Sequence, residues 1–177
     1  MEIGTVLGTC KELLIRQFEA ALCTLNACID QCPESGWNEP VGNLAFCQVA
    51  FHAQFFTDYY LGPNEGALRG QPFHRQHADF FRDYEELQPR KQQLLYDRPS
   101  IQTYLAHCRG KAEEVIAAET ADVLRGPCGF PPKTFSRAEL HVYNIRHIQH
   151  HAAQLSLRLR LNFGQDIPWY RSGWRED

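Results

Sequence analysis

The chain has 177 residues, 44% of them hydrophobic and 22% charged, an ordinary balance for one water-soluble domain large enough to bury its own core. A formal net charge of −3, with acids and bases interspersed, argues against nucleic acid or an anionic membrane as a partner. No apolar run approaches the roughly 20 residues that span a bilayer, and Met1 to Thr5 has no signal-like character, so a cytoplasmic protein is expected.

Residues from about Val6 to Cys32 predict a long first helix, because Leu7, Leu14, Phe18, Leu22, Leu25 and Ile29 recur at helical steps and form one buried stripe. Pro33, Gly36, Pro40 and Gly42 then mark a connector. Asn43 is placed to cap a second helix that runs to about Leu61 and stops at Gly62-Pro63. Residues 62–99 carry several Gly and Pro and no sustained period, which predicts an irregular loop with one or two short helices between Phe73 and Tyr96. A third long helix is expected over about Ile101 to Leu124, with Ile101, Tyr104, Leu105, Cys108, Ala112, Val115, Ile116 and Val123 on its apolar face. Ser136 and Glu139 form a capping box opening a fourth helix to about Asn162, with Gly164 as its C-terminal cap. The tail from Ile167 to Trp174 carries two tryptophans and is expected to pack on the bundle or on a partner. Nothing alternates with period two for long enough to make a sheet, so residues 1–177 read as a single all-α domain, a four-helix bundle.

Four of the eight histidines lie between Leu140 and Leu155. His147 and His151 are four residues apart, which on a helix puts both imidazoles on one face about one turn apart. With roughly 100° per residue, Ile148, Ala152, Leu155 and Leu159 mark the buried centre of that helix. His151 then lies roughly 65° from the centre and His147 roughly 105°, at the edge of the core, while His150 at roughly 165° faces solvent. His141 falls near the centre, as a core histidine or a partner behind the site. A third ligand must come from elsewhere, and His52, alone in the apolar second helix, is the best donor. The reading is one divalent metal per chain, held by His52, His147 and His151: zinc or nickel first, with iron or copper as further fits. Three neutral imidazoles leave a position open for water or substrate, the pattern of a catalytic rather than a structural site.

Rival sites are weaker. H-E-x-x-H and paired Glu-x-x-His motifs are absent, and Cys23, Cys28 and Cys32 are poorly spaced for structural zinc. The seven cysteines, odd in number and without a C-x-x-C pair, read as small buried residues of a reducing compartment. His74 and His77 fall in the loop and are expected to be solvated. Gln48, one turn before His52, is placed to hydrogen-bond a bound water; Glu139, Asp58 and His141 are each open as a general base, and none is singled out.

These features together resemble the DinB-like superfamily, the YfiT-like metal-dependent hydrolases. Those carrying the resemblance are Trp37 with the short linker to Asn43, His52 in an aromatic helix, and the run from His147 through His151 to Gln154 and Leu155 on the last helix. The resemblance implies a four-helix bundle with a three-histidine metal site on His52, His147 and His151, and a homodimer. It implies a small-molecule substrate, and either hydrolysis or chemistry on a low-molecular-weight thiol, as in bacillithiol transferases and mycothiol-dependent maleylpyruvate isomerases. Family members often carry Arg-Gly after the last histidine. Here Ala152-Ala153 stands there, which removes an arginine suited to an anionic group, while Gln154 is kept.

Overall fold

The computed structural model describes residues 3–82 and 84–172. In chain order its elements are α1 (Ile3–Gln31), the single turn α2 (Glu34–Trp37), the hairpin strands β1 (Pro40–Val41) and β2 (Leu44–Ala45), and α3 (Phe46–Leu61). The short α4 (Pro72–Gln76) and α5 (Ala78–Phe81) follow, then α6 (Arg98–Ala118), α7 (Ala121–Arg125) and α8 (Arg137–Phe163). Single 3-10 turns occupy Glu65–Gly70 and Glu85–Leu87.

The four long helices form where apolar stripes were read. Helices α1 and α3 each pack on both α6 and α8, and the bundle closes around Phe18, Leu22 and Ile29 of α1, Phe55 of α3, Ile101 of α6 and Leu155 of α8. The fold class is all-α, as expected. No helix among the described residues is long and apolar enough to cross a membrane.

Two arginines close the helix ends that face inward. The last carbonyls of a helix have no partner within it, and burying them unpaired is costly. Arg98, at the start of α6, donates to the carbonyls of Ile29 and Cys32 at the end of α1, while its guanidinium lies 4.3 Å from the centre of the Trp37 ring. Arg137, at the start of α8, donates to Tyr60 O, Leu61 O and Gly62 O at the end of α3. The Trp37 indole donates to Tyr96 O at 2.7 Å, which anchors the connector to the segment before α6.

Two helix expectations need correction. Asn43 does not cap α3. It sits with Gly42 in the turn of the β1–β2 hairpin, where Gly42 takes the positive φ of 69° that a two-residue hairpin turn asks of its first central residue. The third helix is not continuous to Leu124. It begins earlier, capped by Asp97 accepting from Ser100 N, and it breaks after Ala118 because Thr120 caps a separate helix, α7. Val123 consequently leaves the apolar stripe and is 47% exposed. In the tail, Ile167 packs against the core but Trp169 is 82% exposed, and Trp174 lies outside the described residues.

Residues 62–99 hold two short helices and two 3-10 turns, and their organising contact is buried and polar. His74 is 2% exposed rather than solvated. Its Nε2 lies 2.5 Å from Asp58 Oδ2, its Nδ1 lies 3.1 Å from the Tyr84 hydroxyl, and its ring stacks on Phe81. His77 is exposed, as expected, against Phe73.

Candidate metal centre

Helix α3 carries His52 and helix α8 carries His147 and His151, and these two helices pack directly on each other. The His52 ring lies 5.3 Å from that of His147 and 4.6 Å from that of His151, centroid to centroid; the two rings on α8 are 4.5 Å apart. One nitrogen from each ring falls within 4.8 Å of the others, and all three residues are half-buried. The Nε2 atoms of His147 and His151 are 3.1 Å apart. Two nitrogens bound tetrahedrally to one zinc at about 2.0–2.1 Å would stand about 3.3 Å apart, so this donor pair fits a divalent ion with little movement.

Hydrogen bonds behind the rings fix which nitrogen faces inward. His52 Nδ1 lies 2.6 Å from Glu86 Oε2, and His151 Nδ1 lies 2.9 Å from Gln154 Oε1. Each oxygen accepts from an Nδ1–H, so each ring presents the lone pair of Nε2, an arrangement that orients ligands in metal sites. Gln154 Nε2 in turn donates to His150 Nε2 at 3.2 Å, on the exposed side of α8. His147 Nδ1 is buried and has no hydrogen-bond partner among the described residues. Phe56, one turn after His52, lies 4.9 Å from the His52 ring and 5.5 Å from the His147 ring and walls the site on the protein side.

Burial, and then repulsion from the neighbouring imidazoles, hold the His147 pKa down to about 3 and that of His151 to about 4, so both rings are neutral ligands at pH 7. In the unfolded chain both take up protons near 6.5. Between those values the unfolded state binds more protons, so the stability due to keeping the rings neutral is complete above pH 6.5 and shrinks as the pH falls towards 4. The metal-free protein is therefore expected to melt at progressively lower temperature on acidification through that window, and His147→Gln to flatten the decline. Superimposable wild-type and variant profiles would count against this account.

The other sequence candidates lie elsewhere. Gln48 is on the expected face, but its Nε2 donates to Gln92 O and Leu94 O and its Oε1 accepts from Ala45 N, which commits it to holding the irregular 92–94 segment on the start of α3. His141 is fully buried against Phe18, with Nε2 at 2.7 Å from Glu119 Oε2, and that carboxylate also receives Arg137. Asp58 is fully buried in the His74 network, and Glu139 is exposed eight residues before His147, about 12 Å along the helix. The carboxylate that does reach the rings is Glu86, from the segment that sequence reasoning could read least. Burial pushes the thiols of Cys23 and Cys32 up to about 11 and that of Cys28 up to about 12, so these three stay protonated near neutral pH.

Two depressions open on the rings. One, of about 470 Å³, is lined by Tyr143, Arg146, His147, Gln149 and His150; the other, of about 410 Å³, by Asn43, Leu44, His52, Lys91 and Gln92. No curated protein and no solved structure matches the chain. A family model described as the DinB superfamily matches residues 17–155, which takes in all of α3 and the part of α8 that carries both histidines. The chain belongs to the DinB superfamily.

Proposed function

We propose that the protein is a metal-dependent enzyme whose mononuclear three-histidine centre activates water or a low-molecular-weight thiol, acting as a hydrolase or a thiol transferase. The observation that carries this reading is the convergence of three imidazole nitrogens within 4.8 Å, without a fourth His, Cys, Asp or Glu in the group among the described residues, beside two open depressions. Such a donor set fits zinc or nickel and leaves room for a reactant. A divalent ion held there supplies Lewis acidity, lowering the pKa of a coordinated water or thiol and raising its nucleophilicity near neutrality.

The chain's own contributions follow from its geometry. His52, His147 and His151 hold the ion; Glu86 and Gln154 hold two of those rings in the tautomer that can ligate. Phe56 excludes water from the α3 side. Lys91 and Arg146 each stand at one depression, which favours a reactant carrying negative charge and partly replaces the arginine lost at Ala152-Ala153.

Protein prepared without a histidine tag is expected to bind one zinc or nickel per chain by elemental analysis. In a panel of thiol-conjugation and ester substrates, the loaded protein is expected to turn over at least one class on the order of 100-fold faster than His151→Ala, since removing a ligand costs at least as much as removing a group behind one. Full metal occupancy with no turnover above that variant moves the reading to a non-catalytic binding bundle. Absence of metal from the wild-type chain removes it altogether.

A further inference from the structure

Glu86 is out of place as a structural residue. It sits in a 3-10 turn of an otherwise irregular segment, yet its side chain is only 1% exposed. Its ionic partner among the described residues is His52; the Oε2 atom lies 2.6 Å from His52 Nδ1, with a longer 3.4 Å contact from Gln92 Nε2. Its Oε1 atom is buried with no hydrogen-bond partner among the described residues. A carboxylate kept only to stabilise the fold would pair both oxygens, because a buried, half-satisfied anion is destabilising.

The surrounding chain is arranged to deliver it. Just before it, the Tyr84 hydroxyl is tied to His74 and its ring to Arg69, whose guanidinium carbon lies 4.5 Å from the ring centre. Immediately beside it, Glu85 Oε2 accepts from the backbone N–H groups of Gln93 and Leu94, at 2.8 and 3.2 Å. Just after it, Gln92 O and Leu94 O are held by Gln48 at the start of α3. The segment is thus pinned on both sides of Glu86, which touches a candidate ligand.

We infer that Glu86 is a positioning residue of the metal centre: it locks His52 as the Nδ1–H tautomer and supplies the anionic charge that offsets a divalent ion among three neutral imidazoles. The inference rests on the three-histidine reading above. Three neutral rings leave an ion's two positive charges uncompensated in a half-buried site, and a carboxylate in contact with one ring offsets half of that charge through the shared proton. The His151 ring is backed by the neutral Gln154, and the His147 ring by no hydrogen-bond partner among the described residues, so the three supports are not equivalent.

The test compares wild type, Glu86→Gln and Glu86→Ala by zinc titration and by ¹⁵N spectroscopy of the histidine rings in metal-free protein. The glutamine keeps an acceptor for Nδ1–H and loses the charge; the alanine loses both. Expected are a zinc dissociation constant raised about 10–100-fold in Glu86→Ala, a smaller rise in Glu86→Gln, and a His52 ring that stays Nδ1–H in Glu86→Gln but shifts towards the Nε2–H tautomer in Glu86→Ala. A general loss of structure would not separate the two variants in this way, and their metal-free melting curves provide the check on folding. If wild type binds zinc and Glu86→Ala binds it within threefold, or His52 keeps its tautomer in Glu86→Ala, the inference is overturned while the metal centre stands. A wild-type chain that binds no zinc overturns both.

Discussion

His147→Ala is expected to abolish the thermal stabilisation that zinc or nickel confers on this protein. A ligand that binds the native state alone stabilises it by RT ln(1 + [L]/Kd), about 4 kcal/mol when the free metal is a thousandfold above Kd. For a domain of this size that corresponds to a rise in Tm of about 8–16 °C. His147 is the ring that the fold commits most fully: desolvation by burial, more than the neighbouring rings, holds it neutral at pH 7, and its Nε2 is 3.1 Å from that of His151. Two imidazoles remain without it. If affinity falls a thousandfold, the same metal concentration stabilises the variant by about 0.4 kcal/mol, or about 1–2 °C. The comparison is made against each protein's own metal-free melting point, so any cavity left by the missing ring cancels. His150→Ala is the control, since that exposed ring stands outside the three-nitrogen group and meets it through Gln154 and an edge contact, 5.0 Å between centroids, with the His151 ring. It should retain most of the shift. Retention of the full shift by His147→Ala would place the metal outside this cluster.

The part of the site carried by long, periodic helices was legible in the sequence, and the part carried by irregular chain was not. His147 and His151 were readable because an α-helix converts a four-residue spacing into adjacency, whatever the rest of the chain does. His52 was readable because a titratable ring alone in an apolar helix stands out. Glu86 offers no such signal: one of two adjacent glutamates in a stretch without periodicity reads as solvated, and only the packed segment reveals a buried carboxylate on a histidine 34 residues away. His74 escapes sequence reading for the same reason, since its partner Asp58 belongs to α3, and Tyr104 and Lys111, which share that carboxylate, belong to α6. Gln48 illustrates a different limit. Helical geometry placed it on the His52 face, but nothing local could show that its amide is already bound to the carbonyls of Gln92 and Leu94. The break after Ala118 did leave a signal, Thr120 ahead of Ala121 and Asp122, a capping pattern overshadowed by the apolar period running through it.

The second large effect is expected far from the imidazoles, at Asp58→Asn. Asp58 is fully buried on α3. Its Oδ2 accepts from Tyr104 Oη at 2.9 Å and lies 2.5 Å from His74 Nε2; its Oδ1 accepts from Lys111 Nζ at 2.5 Å and lies 3.5 Å from His107 Nε2. Lys111 also donates to Asp58 O and to Gln71 Oε1, and its side chain is 12% exposed. Burial alone would raise the carboxyl pKa, but the adjacent His107 and His74 rings and the Lys111 ammonium hold it well below the usual carboxylate range. Asparagine preserves the volume and removes the charge, and its amide N–H groups must face donors where an acceptor stood. The ammonium is then buried without a counter-ion, which typically costs about 3–5 kcal/mol, or a drop in Tm of about 6–20 °C for a domain of this size. Because the same carboxylate ties His74, and through it Tyr84, to the bundle, hydrogen exchange should quicken across residues 71–87, and zinc affinity should weaken indirectly as Glu86 loses its support. Lys111→Met in the same chain should recover part of the loss, since the double variant no longer buries a lone cation. A Tm within 2 °C of wild type, or a double variant as unstable as the sum of the two single changes, would show that this network does not hold the segment in place.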